Sequence, residues 1–343
     1  VSFKNNLSTF SNVDNWFIFH ISKPVYCNGN VNSLINYSDL TNYCYRYLFL
    51  ETPILTAPKL PSNIIYYRSY EYMFEGCTLL ITAPKLPATI LNNSCYTGMF
   101  KGCVSLVNPP ELPALNLKSD CYVGMFKGCV SLINTPELPA TTLSNACYEA
   151  MFKDCISLSK APILPARILE ENCYRSMFDG CISLTTAPAL PAVGLVYRSY
   201  QYMFKNCKSL NLVSVNFTEW VESATEDWLD GVSSIGYFEK SNELLDVKGS
   251  SNIPENWNIS NVPYLRKLDY LQPYEYGKSI PHIDTKYIPS FDGFKIEAVV
   301  DTVINSTGDS YFWGFMNVIN DNQRNGINLG SGSSKTSLHS FTR

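Results

Sequence analysis

The groups in this sequence that could do chemistry are twelve cysteines, three histidines and a scatter of carboxylates. A cysteine or serine nucleophile needs an activating base within hydrogen-bonding reach. The histidines are His20, His282 and His339, and all three lie outside the stretch that holds most of the cysteines. Eleven cysteines form two series: Cys44, Cys95, Cys121, Cys147, Cys173 and then Cys77, Cys103, Cys129, Cys155, Cys181, Cys207. Only Cys27 stands apart, and no Cys-x-x-Cys pair offers the usual zinc spacing. Glycoside hydrolysis would need two carboxylates roughly 5 to 10 Å apart. Asp284, Asp292, Glu297 and Asp301 supply acids late in the chain but no compact acidic phrase. With no complete constellation, the sequence reads as non-enzymatic, without catalytic residues, metal site or cofactor.

What positions the cysteines is a repeat. The pair Met-Phe recurs at Met73, Met99, Met125, Met151, Met177 and Met203, every 26 residues, and an irregular earlier copy places Leu48 where Met would stand. Seven copies fill about residues 41–213. Counting each Met as zero, −3 is always Tyr (Tyr70 to Tyr200), +1 always Phe, +4 always Cys and +7 always Leu. Positions −3, 0, +1 and +4 are the set that lines one face of an α-helix, so each copy is expected to hold one short helix. Position +3 is Gly76, Gly102, Gly128, Asp154, Gly180 or Asn206, residue types that tolerate a left-handed backbone and so would close that helix. Prolines follow at +11 and +14 in five copies, from Pro84 and Pro87 to Pro188 and Pro191. Proline cannot donate to a ladder, so a parallel strand is expected only over about +6 to +10. A Leu at +18, as in Leu91 and Leu117, adds a further buried contact.

On a helix the two cysteine positions of one copy would lie about 12 Å apart, beyond the roughly 7 Å that a disulfide spans between Cα atoms. Ser69 and Ser199 replace the first cysteine of a copy while Cys77 and Cys207 remain, so the two positions do not vary as partners. Small buried thiols stacked copy on copy is the preferred reading, ahead of disulfides between neighbouring copies.

The phrase CYxxMFxGCxSLxxxPxLPA, returning in register, resembles the BspA-like leucine-rich-repeat surface proteins over about half the chain. That resemblance implies an α/β leucine-rich-repeat solenoid of seven coils, each a short helix plus a short parallel strand. It also implies an extracellular location, on a bacterial surface or on a phage virion fibre.

The organisation expected from these signals has four parts. Residues 1–40, with NWFIFHISKPVYC, form an N-terminal β cap over the first copy, and 41–213 are the solenoid. Residues 214–262 close it, with Trp220 and Trp228 eight apart on one helix. From 263 to 343 the phrase HIDTKYIP before KIEAVV resembles the opening of a LamG or concanavalin A-like module. A β-sandwich-like segment is expected there, and some 80 residues are short for a complete one.

A net charge of −4 lacks the Lys/Arg surplus that phosphate neutralisation needs, which argues against nucleic acid. No run reaches the roughly 18 apolar residues that span a bilayer. The positions left free by the core carry recognition. Thr82, Asn108, Asn134, Lys160 and Thr186 at +9, with Lys85, Glu111 and Glu137 at +12, vary between copies as a binding row would. A merely solvated face would vary likewise. At +2, Glu75, Lys101, Lys127, Lys153, Asp179 and Lys205 read as a solvated flank. The function expected is non-catalytic recognition or adhesion to a host or bacterial surface glycan or protein, with room for a homo-oligomer or larger assembly. A structural spacer or virion decoration, and an intracellular scaffold, are the alternatives.

Overall fold

The structure, a computed structural model, describes residues 17–34 and 40–261, and four short strands between 303 and 341. The chain divides into two compact units, Val1–Gln272 and Pro273–Arg343.

The repeats stack through their Met-Phe columns, but the expected solenoid of helix-and-strand coils does not form. Among the described residues there is one α-helix, α1 (Glu222–Thr225), and it lies after the repeats. The stretch expected to be helical is a chain of tight turns. In one copy the N–H groups of Ser69, Met73 and Cys77 donate to the carbonyls of Tyr66, Tyr70 and Phe74, three residues back, not four. The third residue of each of these turns has a positive φ: Arg68 at 53°, Tyr72 at 53° and Gly76 at 69°. A type II turn requires that sign there, and an α-helix excludes it. The same three places are left-handed in the following copies, as at Ser94, Gly98 and Gly102 or Asn172, Ser176 and Gly180.

The alternate N–H groups leave the copy altogether. Arg68, Tyr70, Tyr72, Phe74 and Gly76 donate to the carbonyls of Asn93, Cys95, Thr97, Met99 and Lys101 in the next copy, at 2.8 to 3.2 Å. On this side, every such bond runs from the earlier copy to the later one. Half of the backbone donors are thus satisfied within a copy and half between copies, which removes the need for a helix.

The turn chain advances in fours, so −4, 0 and +4 fall in line, as do −3 and +1. In a helix, residues eight apart would be rotated by about 80°. The result is columns of like side chains. Phe49, Phe74, Phe100, Phe126, Phe152, Phe178 and Phe204 stack with ring centroids 5.4 to 5.8 Å apart. A parallel Tyr column, Tyr45 to Tyr200, is spaced at 5.7 to 6.0 Å. Near-parallel offset rings are a favoured aromatic geometry, and every one of these side chains is buried.

The other side of each copy is extended but poorly bonded. Leu86, Ala88 and their equivalents alternate inward with exposed neighbours, the period of a strand. Only isolated parallel bridges form, such as Thr82↔Asn108 and Asn116↔Thr142. Prolines at +11 and +14 remove a donor from each alternation phase, so a continuous ladder cannot close. In the last copy, where they are absent, a strand appears. Residues Leu212–Ser214 (β3) take the place of the Pro-containing segment in the last copy. They pair in parallel with Tyr237–Glu239 (β4), which pairs with Asn258–Ser260 (β5). At the front, Val25–Tyr26 (β1) pairs in parallel with Ile54–Thr56 (β2).

Little of the expected N-terminal β cap is strand among residues 17–34. Besides β1 there is a 3₁₀ turn over Val31–Leu34, and Phe19 packs on Phe49 at 5.2 Å. In the closing segment the helix expected to carry Trp220 and Trp228 is a single turn lying between them. Trp228 nonetheless enters the stack. Its carbonyl accepts from Phe204 N–H at 2.9 Å, as Met203 accepts from Phe178. One continuous apolar core runs from Val31 to Trp257.

In the second unit the described residues give two separate antiparallel pairs. Val303–Ile304 (β6) joins Ser310–Tyr311 (β7), and Gly326–Ile327 (β8) joins Ser340–Phe341 (β9). Apart from these strands, the residues of the expected β-sandwich-like segment lie outside the described residues. His282, His339 and the acids Asp284, Asp292, Glu297 and Asp301 lie outside the described residues.

Candidate functional site

The eight residues read as a binding row all face solvent: Thr82, Asn108, Asn134, Lys160, Thr186, Lys85, Glu111 and Glu137. They stand on the proline side, held by the buried Leu at +7 and the buried Pro at +11 on either flank. Thr82 and Asn108 are directly opposed in a parallel bridge, and Thr186 is bridged to Leu212. Because +8 and +9 both turn outward, an aliphatic neighbour accompanies the row, with Ile81 at 55% and Ile133 at 49% exposure. At +12, Ile163 is 82% exposed. Variation at +12 already marked Ile163 as outward, but sequence reasoning missed Ile81 and Ile133 because they sit beside the buried Leu in a segment where nearly every apolar residue is core. A surface of small polar side chains edged by aliphatics can bind by contact and hydrogen bonding, but it holds no reacting group.

The +2 flank does more than meet water. Lys101 pairs with Glu75 at 2.8 Å and Lys153 with Asp179 at 2.6 Å, each across neighbouring copies. Lys205 reaches Asp227 and Asp230 in the closing segment, at 3.0 and 3.1 Å. The −2 position adds Arg175 to Glu149 at 2.9 Å and Arg46 to Glu71 at 2.5 Å. Burial raises the Glu71 and Glu149 carboxyl pKa values, and their arginines act the other way. These pairs join neighbouring copies at their edge.

All twelve cysteines are free. The +4 thiols donate in series to backbone carbonyls of the preceding copy: Cys103 to Phe74, Cys129 to Phe100, Cys155 to Phe126 and Cys181 to Phe152, each at 3.1 Å. Burial pushes the thiol pKa of Cys77 up to about 11 and of Cys95 and Cys147 up to about 12. A thiol so shielded is protonated and inert at neutral pH. His20 is exposed on the N-terminal segment. Among the described residues no group of three or more His, Cys, Asp or Glu side chains could hold a metal ion. No helix among them is long and apolar enough to cross a membrane.

No family model, curated protein or solved structure matches this chain.

Proposed function

We propose that this chain is a non-catalytic recognition protein that works outside the cell, on a bacterial surface or a virion, and grips a glycan or a protein through its exposed row. One observation carries the reading. The row varies in residue type from copy to copy while the Tyr, Met, Phe and Cys columns beneath it stay constant, so surface chemistry is free to change without disturbing the core. The resemblance of the repeat phrase to BspA-like surface proteins supports the location. The buried, hydrogen-bonded thiols are compatible with it, since they need no reducing compartment to stay unreactive.

The test is binding of the full chain to a glycan array and to bacterial cells, with a triple variant Thr82→Ala, Asn108→Ala, Asn134→Ala. Binding is expected to weaken by about tenfold or more, with stability changed by less than about 0.5 kcal/mol. Binding that survives the triple variant, or no binding to any glycan or cell, removes the row as a grip and leaves the spacer role.

A further inference from the structure

In the closing segment a cleft of about 450 Å³ is lined by Trp220, Glu222, Gly249, Ser250, Ser251 and Asn252. Its volume lies within the range of small-molecule clefts, roughly 300 to 1,000 Å³. We propose that this cleft is a carbohydrate site that seats one neutral pyranose residue against the Trp220 ring. The site lies apart from the exposed row and stands or falls without it.

The argument begins with the ring. Trp220 is partly exposed, and its indole N–H donates to the Leu245 carbonyl at 2.8 Å. Phe217 and Trp228 meet it edge-on at 5.3 and 6.2 Å, and Phe238 lies at 6.1 Å. The indole is therefore fixed before any ligand arrives, with its polar atom already satisfied, so what it offers the cleft is an apolar surface. A pyranose has a matching C–H face, ringed by hydroxyls that both donate and accept.

The rest of the lining suits those hydroxyls. Among the described residues neither the Glu222 carboxylate nor the Asn252 side-chain amide has a partner, so one acceptor pair and one donor-acceptor pair remain open. Ser251 Oγ accepts from Asp227 N–H at 3.0 Å and keeps its own proton to donate. The loop that carries them is pinned, because the Asn252 carbonyl accepts from Trp228 Nε1 at 2.9 Å. A rigid aromatic wall with a few convergent polar groups is the composition of a small-molecule site.

Charge selects the kind of sugar. Among the described residues Glu222 is the only ionised group on the cleft wall. The neighbouring Lys248 ammonium is turned to the carbonyls of Pro254 and Trp257, at 3.3 and 2.9 Å. Lys205 is held by Asp227 and Asp230. A uronic or sialic acid would thus face a carboxylate with no cation to offset it, and a neutral hexose or N-acetylhexosamine would not.

The experiment is ligand-observed NMR and calorimetric titration of the full chain with methyl pyranosides of glucose, galactose, mannose and N-acetylglucosamine, and with a glucuronide. Saturable binding of at least one neutral glycoside is expected, with the glucuronide at least about tenfold weaker. Glu222→Ala and Asn252→Ala alter exposed or partly exposed side chains and leave the core intact, so each should fold and each should weaken the neutral glycoside by about tenfold. Glu222→Gln should narrow the gap between neutral and acidic sugars. Trp220→Phe keeps a ring and should retain part of the affinity that Trp220→Ala loses. The triple row variant should bind the glycoside as the parent does, which separates failure of this site from failure of the row. No saturation by any neutral glycoside up to about 10 mM, affinity unchanged in Glu222→Ala and Asn252→Ala, or preference for the glucuronide would each overturn the proposal.

Discussion

The repeats before Cys207 and the closing segment after it solve one packing problem by different means. In the repeats, identical side chains lie on one another, and the backbone is joined across copies on the turn side but scarcely on the proline side. From Leu212 onward the residues no longer match, yet Val213, Phe238 and Ile259 keep parallel register in three paired strands. The spacing shrinks from 26 to 25 and then 21 residues. Indoles pack there and tie off their N–H groups, Trp228 on the Asn252 carbonyl and Trp257 on the Ser233 carbonyl. The difference teaches that backbone register, more than residue identity, defines membership of the stack. Identity matters most where the strands are missing.

The largest contrast should appear at alkaline pH, because the closing segment contains no cysteine. The ordinary thiol pKa is 9.0, and burial raises it to about 11 at Cys44 and about 12 at Cys95. A raised folded-state value means that the native thiols keep protons that the unfolded chain releases. Their stabilisation is whole below pH 9 and is lost as pH climbs through 11 to 12. Each such thiol removes up to about 1.4 kcal/mol per pH unit in that window. Guanidinium unfolding midpoints measured from about pH 8 to about pH 11 should therefore fall steeply. A flat series would mean that the thiols are not buried as described.

Next in size is the junction itself. Trp228→Ala removes a fully buried side chain that touches Tyr200 and Phe204, at a cost of about 3–5 kcal/mol. Hydrogen exchange should show residues 222–260 losing protection while Tyr96 to Phe178 keep theirs, since stacked units communicate chiefly with neighbours. Phe126→Ala, in mid-stack, should weaken both sides by a similar amount. If Trp228→Ala leaves the closing segment protected, the two regions are not one stack.

A smaller pair of variants tests the turns. Gly98 and Gly102 both have positive φ, 60° and 71°. A Cβ on Gly98 would come within 2.1 Å of the Tyr72 ring, whereas on Gly102 the nearest atoms are 3.8 Å away. Gly102→Ala should cost about 1 kcal/mol from backbone strain alone, and Gly98→Ala about 2–3 kcal/mol with the ring displaced. Equal losses on thermal unfolding would count against the turn geometry. The smallest effect belongs to the ion pairs. Lys153→Met should shift stability by no more than about 1 kcal/mol, and the shift should fade as salt is added.

The period, the buried columns and the outward row were all legible in the sequence. The backbone between them was not, although the signal was present. Cysteine at both −4 and +4 with Met between them repeats every four residues, and a helix would turn those eight-apart cysteines away from each other. Gly98 and Gly124 at −1, and Ser94, Asp120 and Asn172 at −5, offered further left-handed positions beside the one at +3. The strands β3 to β5 were marked by missing prolines, a cue that works only once the neighbours are known to be extended. The cleft was beyond sequence reasoning because Trp220 and Asn252 meet only after two turns of the closing segment have been laid down.

Because the turn-side N–H groups that leave a copy all point the same way, the first copy presents bare carbonyls to whatever precedes it and the last presents bare donors to whatever follows. The two terminators are therefore chemical opposites. The leading segment gives a hydrogen, Phe19 N–H to the Leu48 carbonyl at 3.0 Å, while the trailing one receives them, the Ala224 carbonyl from Tyr200 N–H at 3.0 Å and the Trp228 carbonyl from Phe204 N–H at 2.9 Å. Exchanging the two would set acceptor against acceptor at one end and donor against donor at the other. The direction of reading is thus written into the main chain itself.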